Sequence, residues 1–269
     1  MSPINPSKPL MNPVPNEHDC VELSGLLLQQ MRRSDGGAPG SDSGLPGCAR
    51  GAPGSDDPID AFDAIRRLGS ADLAQALTTD QARKTFWINL YNALYQRLRH
   101  QMLRRDEHAP RKSIFTMPAM EMDDLALSLD QIEHTLLRGH RHKFSLGYLP
   151  GFPPVATALR PLMIRKADYR IHFALNCGAR SCPPIAFYRA ESIESQLDLA
   201  AQSFIEQDTE IDERRRVVRV SRIYLWFLAD FGGFRGVRRI LGQTLGQPFD
   251  AYRIRFKAFD WTEELGKWG

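Results

Sequence analysis

The chain has 269 residues, 42% hydrophobic and 25% charged, with a formal net charge of +3 at pH 7. That size and balance suit one soluble globular domain with room for a disordered end. The basic residues are scattered and form no stripe interleaved with aromatics, which argues against a nucleic-acid partner. No apolar run reaches the roughly twenty residues that cross a bilayer, so no membrane partner is expected either. The start, Met1-Ser-Pro-Ile-Asn-Pro6, lacks the basic and apolar parts of a signal peptide, which points to a cytoplasmic protein. In that compartment Cys20, Cys48, Cys177 and Cys182 are expected as thiols.

Residues 1–16 are rich in Pro and Asn and should be poorly ordered. Val21–Met31 reads as a short amphipathic helix. Residues 34–57 are dominated by Gly, Ser, Pro and Asp, and Gly-Ala-Pro-Gly-Ser-Asp occurs at 37–42 and again at 51–56. So few apolar groups cannot offset the entropy of ordering, which makes this a flexible linker carrying Cys48. The predicted organisation is a disordered segment over 1–57 with one short helix, then a globular domain over 58–269.

Within that domain, Ala61–Arg67 and Ala71–Leu77 read as short helices and Asp80–Arg104 as a long one. Apolar residues surround the middle of the long helix, so it should be buried. Asn89 and Asn92, three apart, share one of its faces. Buried amides need hydrogen bonds, so this pair either ties down a neighbouring segment or supports a site.

Ser128 and Gln131 form a capping-box pattern that opens a helix reaching Arg138. Leu129, Ile132, Leu136 and Leu137 supply its apolar side. Asp130, His134 and Arg138 follow one another at four-residue spacing, with Glu133 beside them. A His oriented by a carboxylate suits a general base, a metal ligand or a plain surface ion row. Residues 145–165, rich in Gly and Pro, should form an irregular loop.

Residues 169–184 read Tyr-Arg-Ile-His-Phe-Ala-Leu-Asn-Cys-Gly-Ala-Arg-Ser-Cys-Pro-Pro. Alternation predicts a strand, with Ile171, Phe173 and Leu175 on one face and Arg170, His172, Ala174 and Asn176 on the other. It ends at Cys177-Gly178, leaving polar and nucleophilic groups past the end of a buried element. Beyond it lie an amphipathic helix over Ser192–Gln207 and a solvated charge run at Asp212–Arg216. A strand over Val217–Val220, a helix capped by Ser221 and running to Phe231, a helix over Val237–Leu245 and a strand over Tyr252–Phe259 complete the chain. The fold class is α/β in the α+β sense, predominantly helical with a small sheet, in a single domain.

Four motifs in order, Trp87-Ile-Asn-Leu-Tyr-Asn-Ala-Leu94, Leu129-Asp-Gln-Ile-Glu-His-Thr-Leu-Leu-Arg138, Ile171-His-Phe-Ala-Leu-Asn-Cys-Gly-Ala-Arg-Ser-Cys-Pro-Pro184 and the helix from Ser221 to Asp230-Phe231-Gly232, resemble the family catalogued as domain of unknown function 547. The resemblance covers roughly residues 75–262. It departs at the end, where the family closes on an aromatic-Asp-Trp-Ser-Leu-Asn type sequence and this chain reads Phe259-Asp-Trp-Thr-Glu-Glu264. The resemblance implies no established activity.

Three chemistries compete. A cysteine-dependent hydrolase or acyltransferase would use Cys177 or Cys182 with His134 as base, oriented by Asp130 or Glu133. His172 would lie about 16 Å from Cys177 along a strand, too far to serve it unless the chain bends. The turn before Cys182, including Ser181, could offer an oxyanion hole. The substrate would be an unidentified small molecule or peptide. In the alternative, a non-catalytic regulatory or protein-binding module, Asn89, Asn92, Glu133, His134 and Asn176 form a buried polar network. A zinc site from Cys177, Cys182, His134 and His172 has the right atoms but lacks Cys-x2-Cys spacing, so no metal or cofactor is assigned. The candidate site gathers Glu133, His134, His172, Cys177 and Cys182, supported by Asn89, Asn92, Arg138, Asn176 and Ser181.

Overall fold

The computed structural model describes residues 15–35, 60–104 and 111–269, leaving out the side chains of residues 111 and 112. The disorder predicted for residues 1–14 and the linker with Cys48 lie outside them. Helix α1 spans Glu17–Ser34 and is longer than predicted. Asn16 and Asp19 cap it reciprocally, side chain to backbone, at 3.0 and 3.1 Å. It buries Cys20, Leu27 and Leu28 and packs on α4. This helix therefore packs against the domain that the sequence reading starts near Pro58. A stripe of apolar residues this complete needs a partner, whatever linker follows it.

Helices α2 (Ala61–Arg67), α3 (Ser70–Ala76) and α4 (Asp80–Arg104) match the prediction closely. Every residue of α4 from Ala82 to Gln96 is buried. Its Trp87 donates Nε1–H to the Leu162 carbonyl at 3.0 Å, which satisfies the one polar group of a fully buried ring. Helix α5 (Arg111–Thr116) and an antiparallel hairpin of β1 (Pro118–Met122) and β2 (Leu125–Ser128) follow, none of them predicted.

The capping box at Ser128 and Gln131 forms as predicted, at 2.8 and 3.2 Å. The helix it opens is a wide π-helix over Gln131–Leu137. The Tyr169–Phe173 segment corrects the predicted strand: it is a 3-10 helix. Asp168 accepts from the Arg170 N–H at 3.1 Å and starts the turn. Ile171, His172, Phe173 and Ala174 are all buried, so two opposed faces never existed to support alternation.

Helix α6 (Ile193–Asp208) precedes a three-stranded sheet of β3 (Glu210–Asp212), β4 (Val217–Val220) and β5 (Arg253–Phe256). Strand β4 pairs antiparallel with β3 and parallel with β5, with Val218 opposite Ile254. The helix predicted over Ser221–Phe231 shrinks to α7 (Ile223–Trp226). Successive turns at Phe227–Gly233 then lead into α8 (Gly233–Leu245).

Two clusters of buried side chains fill the domain. One holds α1–α4 and the β1–β2 hairpin, and the other holds part of α6, β4, α7 and α8. The 3-10 helix straddles them, with Ile171 in the first and Phe173 in the second. His172 stands at the seam. Finally, residues 260–269 run beside 178–185, through backbone bonds such as Arg180 N to Thr262 O and Ile185 N to Lys267 O.

Candidate functional site

Three side chains from three elements meet at that seam. Asp230, from the turn after α7, accepts from Arg138 Nε at 2.6 Å and pairs with His172 Nε2 at 2.9 Å through the same Oδ2. The Arg138, His172 and Asp230 side chains are only 1%, 1% and 2% exposed. The Phe227 ring stacks on His172 at 3.9 Å between centroids and lies 4.5 Å from the Arg138 guanidinium carbon. Burial alone would raise the Asp230 pKa, but hydrogen bonds from His172 and Arg138 outweigh it and hold the group near about 2.

The π-helix adds the half-buried part. Arg138 Nη1 lies 2.9 Å from His134 Nδ1. A guanidinium only donates, so Nδ1 is the acceptor and the imidazole proton sits on Nε2. That nitrogen is 3.7 Å from Asp130 Oδ1, and Asp130 also pairs with Lys143. Burial first, then the charges of Arg138 and Lys143, push the His134 pKa down to about 3. Glu133 stands beside it, with the Tyr91 hydroxyl 3.5 Å from its carboxylate. Burial drives the Glu133 pKa up to about 7, although the charge of Arg138 opposes the rise.

The three amides predicted as supports bind backbone. Asn89 exchanges hydrogen bonds with the Tyr188 N–H and carbonyl at 3.1 and 2.9 Å. Asn92 donates to the Ala174 carbonyl and accepts from the Asn176 N–H. Asn176 donates to the Pro183 carbonyl and accepts from the Gly178 N–H, both at 2.7 Å. Each amide thus replaces a stretch of secondary structure for a loop that has none.

Cys177 and Cys182 form a disulfide, with Cα atoms 6.2 Å apart, which corrects the expectation of two thiols. Proximity across the tight turn that follows Gly178 overrides an argument that ran only from compartment to redox state. Ser181 Oγ accepts from the Asp260 N–H at 2.9 Å, so it serves the C-terminal segment. The zinc set is not assembled: the two sulfurs bond to each other, and no cluster of three His, Cys, Asp or Glu side chains suited to a metal occurs among the described residues. Cys20 is a free thiol, and burial first, then Asp19 and Asp72, push its pKa up to about 12.

Structure therefore unites Glu133, His134, Arg138 and His172, and sets Cys177, Cys182 and Ser181 among different partners. Asp230 was missed as a site residue, although it stands in the Asp-Phe-Gly motif. A lone acid between an apolar run and a Gly pair was the available signal.

Residues 75–205 match the family described as Protein of unknown function, DUF547, and the chain resembles that family over this span. The match contains the Trp87–Leu94, Leu129–Arg138 and Ile171–Pro184 motifs. No curated protein and no solved structure matches the chain. No helix among the described residues is long and apolar enough to cross a membrane.

Proposed function

We propose that this domain is a non-catalytic binding module whose motif residues form a buried polar network. The observation that carries it is the hydrogen bond from Arg138 Nη1 to His134 Nδ1. It occupies the lone pair that a general base needs, and the depressed His134 pKa keeps that ring neutral and weakly basic. His172 is likewise committed to Asp230 in a site without solvent access. Asn89, Asn92 and Asn176 serve backbone groups, and the two sulfurs serve each other. Buried polar networks specify one packing and tolerate little change, which accounts for the motif residues without a reaction, although Arg138 Nη2 and Asp230 Oδ1 have no hydrogen-bond partner among the described residues.

A thiol hydrolase would require Cys177 or Cys182 to be reduced and then activated by His134. Alkylation separates the two readings. After mild reduction, iodoacetamide labelling of Cys177 and Cys182 is followed against pH by peptide mass spectrometry. A binding module gives labelling only above about pH 8, as for an ordinary thiol, unchanged in His134→Ala. Rapid labelling at pH 6 that His134→Ala abolishes would overturn the proposal.

A further inference from the structure

The π-helix is followed by a compact excursion over residues 139–156. Its stem is an antiparallel bridge between Arg141 and Pro150, extended by backbone bonds from His142 N to Leu149 O and from Gly151 N to His140 O. Its turn is anchored inward. The Ala229 N–H binds the Leu146 carbonyl at 2.9 Å, and Arg141 Nη1 binds the Gly147 carbonyl at 2.8 Å. Gly147 itself abuts Arg138 and Asp230. The network thus holds this loop in one shape.

What the loop presents is apolar. Phe144, Tyr148, Leu149 and Phe152 are 80%, 57%, 60% and 86% exposed. The Tyr148 hydroxyl comes within 3.3 Å of the place where a side chain on Gly233 would begin, so the patch continues onto the start of α8. Phe234 there is 45% exposed. Water-exposed aromatics gathered on one loop are costly to a free surface and mark an interaction site.

Charge narrows the partner. Between Gly139 and Ala167 the chain carries Arg141, Lys143, Arg160, Arg165 and Lys166 and no Asp or Glu, with Lys143 already paired to Asp130. Helix α8 carries Arg235, Arg238 and Arg239, again with no acid. Arg235 and Arg239, one turn apart, are exposed.

From this the geometry points to peripheral attachment to an anionic lipid surface. Phe144, Phe152 and Leu149 would enter the headgroup–acyl boundary, Tyr148 would sit at its polar edge, and Arg235 and Arg239 would face lipid phosphates. The expectation of no membrane partner rested on the lack of a spanning segment, and surface attachment has a different signature. This inference rests on the binding-module reading and names its partner.

The test uses the full chain and co-sedimentation with vesicles of phosphatidylcholine alone or mixed with phosphatidylglycerol. Binding should appear with the mixed vesicles and weaken as salt rises. The exposed-site variants Phe144→Ser/Phe152→Ser and Arg235→Glu/Arg239→Glu should each lower it by roughly tenfold or more, with unchanged urea midpoints. Absence of binding, or binding that neither variant weakens, overturns the inference. So does a concentration-dependent dimer that Phe144→Ser/Phe152→Ser dissociates in the absence of vesicle binding, because a second copy would then cover the patch. Because the alkylation experiment is independent of lipid, failure with vesicles alone removes the partner and leaves the module.

Discussion

Arg138 and Asp230 lie 92 positions apart and meet at 2.6 Å, joining the first packed cluster of the domain to the second. Removing either partner strands a charge where water cannot reach it. Asp230→Ala should therefore cost about 3–5 kcal/mol in urea unfolding. The double variant Arg138→Met/Asp230→Leu should cost less than the sum of the singles, because it leaves no unpaired ion. Strict additivity would show that the pair is not coupled.

Two glycines provide a matched comparison. Gly147 has φ +83° and Gly139 φ +64°, so alanine is strained at both, by about 1–2 kcal/mol. A methyl at position 147 would also meet Arg138 Nη2 at 2.8 Å and Asp230 Oδ1 at 2.9 Å, whereas at 139 nothing lies within 4 Å. Gly147→Ala should destabilise by at least about 1 kcal/mol more than Gly139→Ala in the same denaturation assay. Equal costs would mean that the network yields freely to the loop.

Acidity acts on this site in two opposing ways. Glu133 is raised to about 7 in the folded protein, so its contribution is full below its unfolded pKa near 4.5 and is lost as pH rises through 7. His134 is lowered to about 3 and Asp230 to about 2, so their contributions are full at neutral pH and are lost as pH falls. Glu133→Gln removes the first effect alone. It should raise the melting temperature more at pH 8 than at pH 5. A larger gain at pH 5 would show that the Glu133 carboxyl is not held back from ionising.

The disulfide closes a very short loop, for which unfolded-state restriction contributes about 2 kcal/mol. Dithiothreitol should lower the stability of the native protein by about that amount and leave Cys177→Ala/Cys182→Ala unaffected. If reductant does not change the wild-type urea midpoint, the two sulfurs are not bonded in solution.

Local rules made much of the architecture legible. Helix α4 announced itself by apolar residues on every side, the Ser128 box by its paired side chains, and β4 by its β-branched run. His172 was misplaced for a physical reason: alternation over five residues looks the same in a strand and in a buried 3-10 turn, and only the two clusters on either side distinguish them. His134 and Arg138 were visible as neighbours four apart. Their partner Asp230 was not, because a contact across 92 positions depends on how two clusters pack. The Cys177–Cys182 bond escaped because compartment was used where geometry decides.

The strip formed by residues 260–269 has one more effect. Trp268 Nε1 binds Asp35 Oδ2 at 3.0 Å at the end of α1, and Lys267 Nζ binds the Cys182 carbonyl at 3.0 Å. A single tail thus buttons the first described helix to the disulfide turn. Trimming a few residues from it would loosen both places at once, and a fusion that displaces Trp268 would be felt at α1.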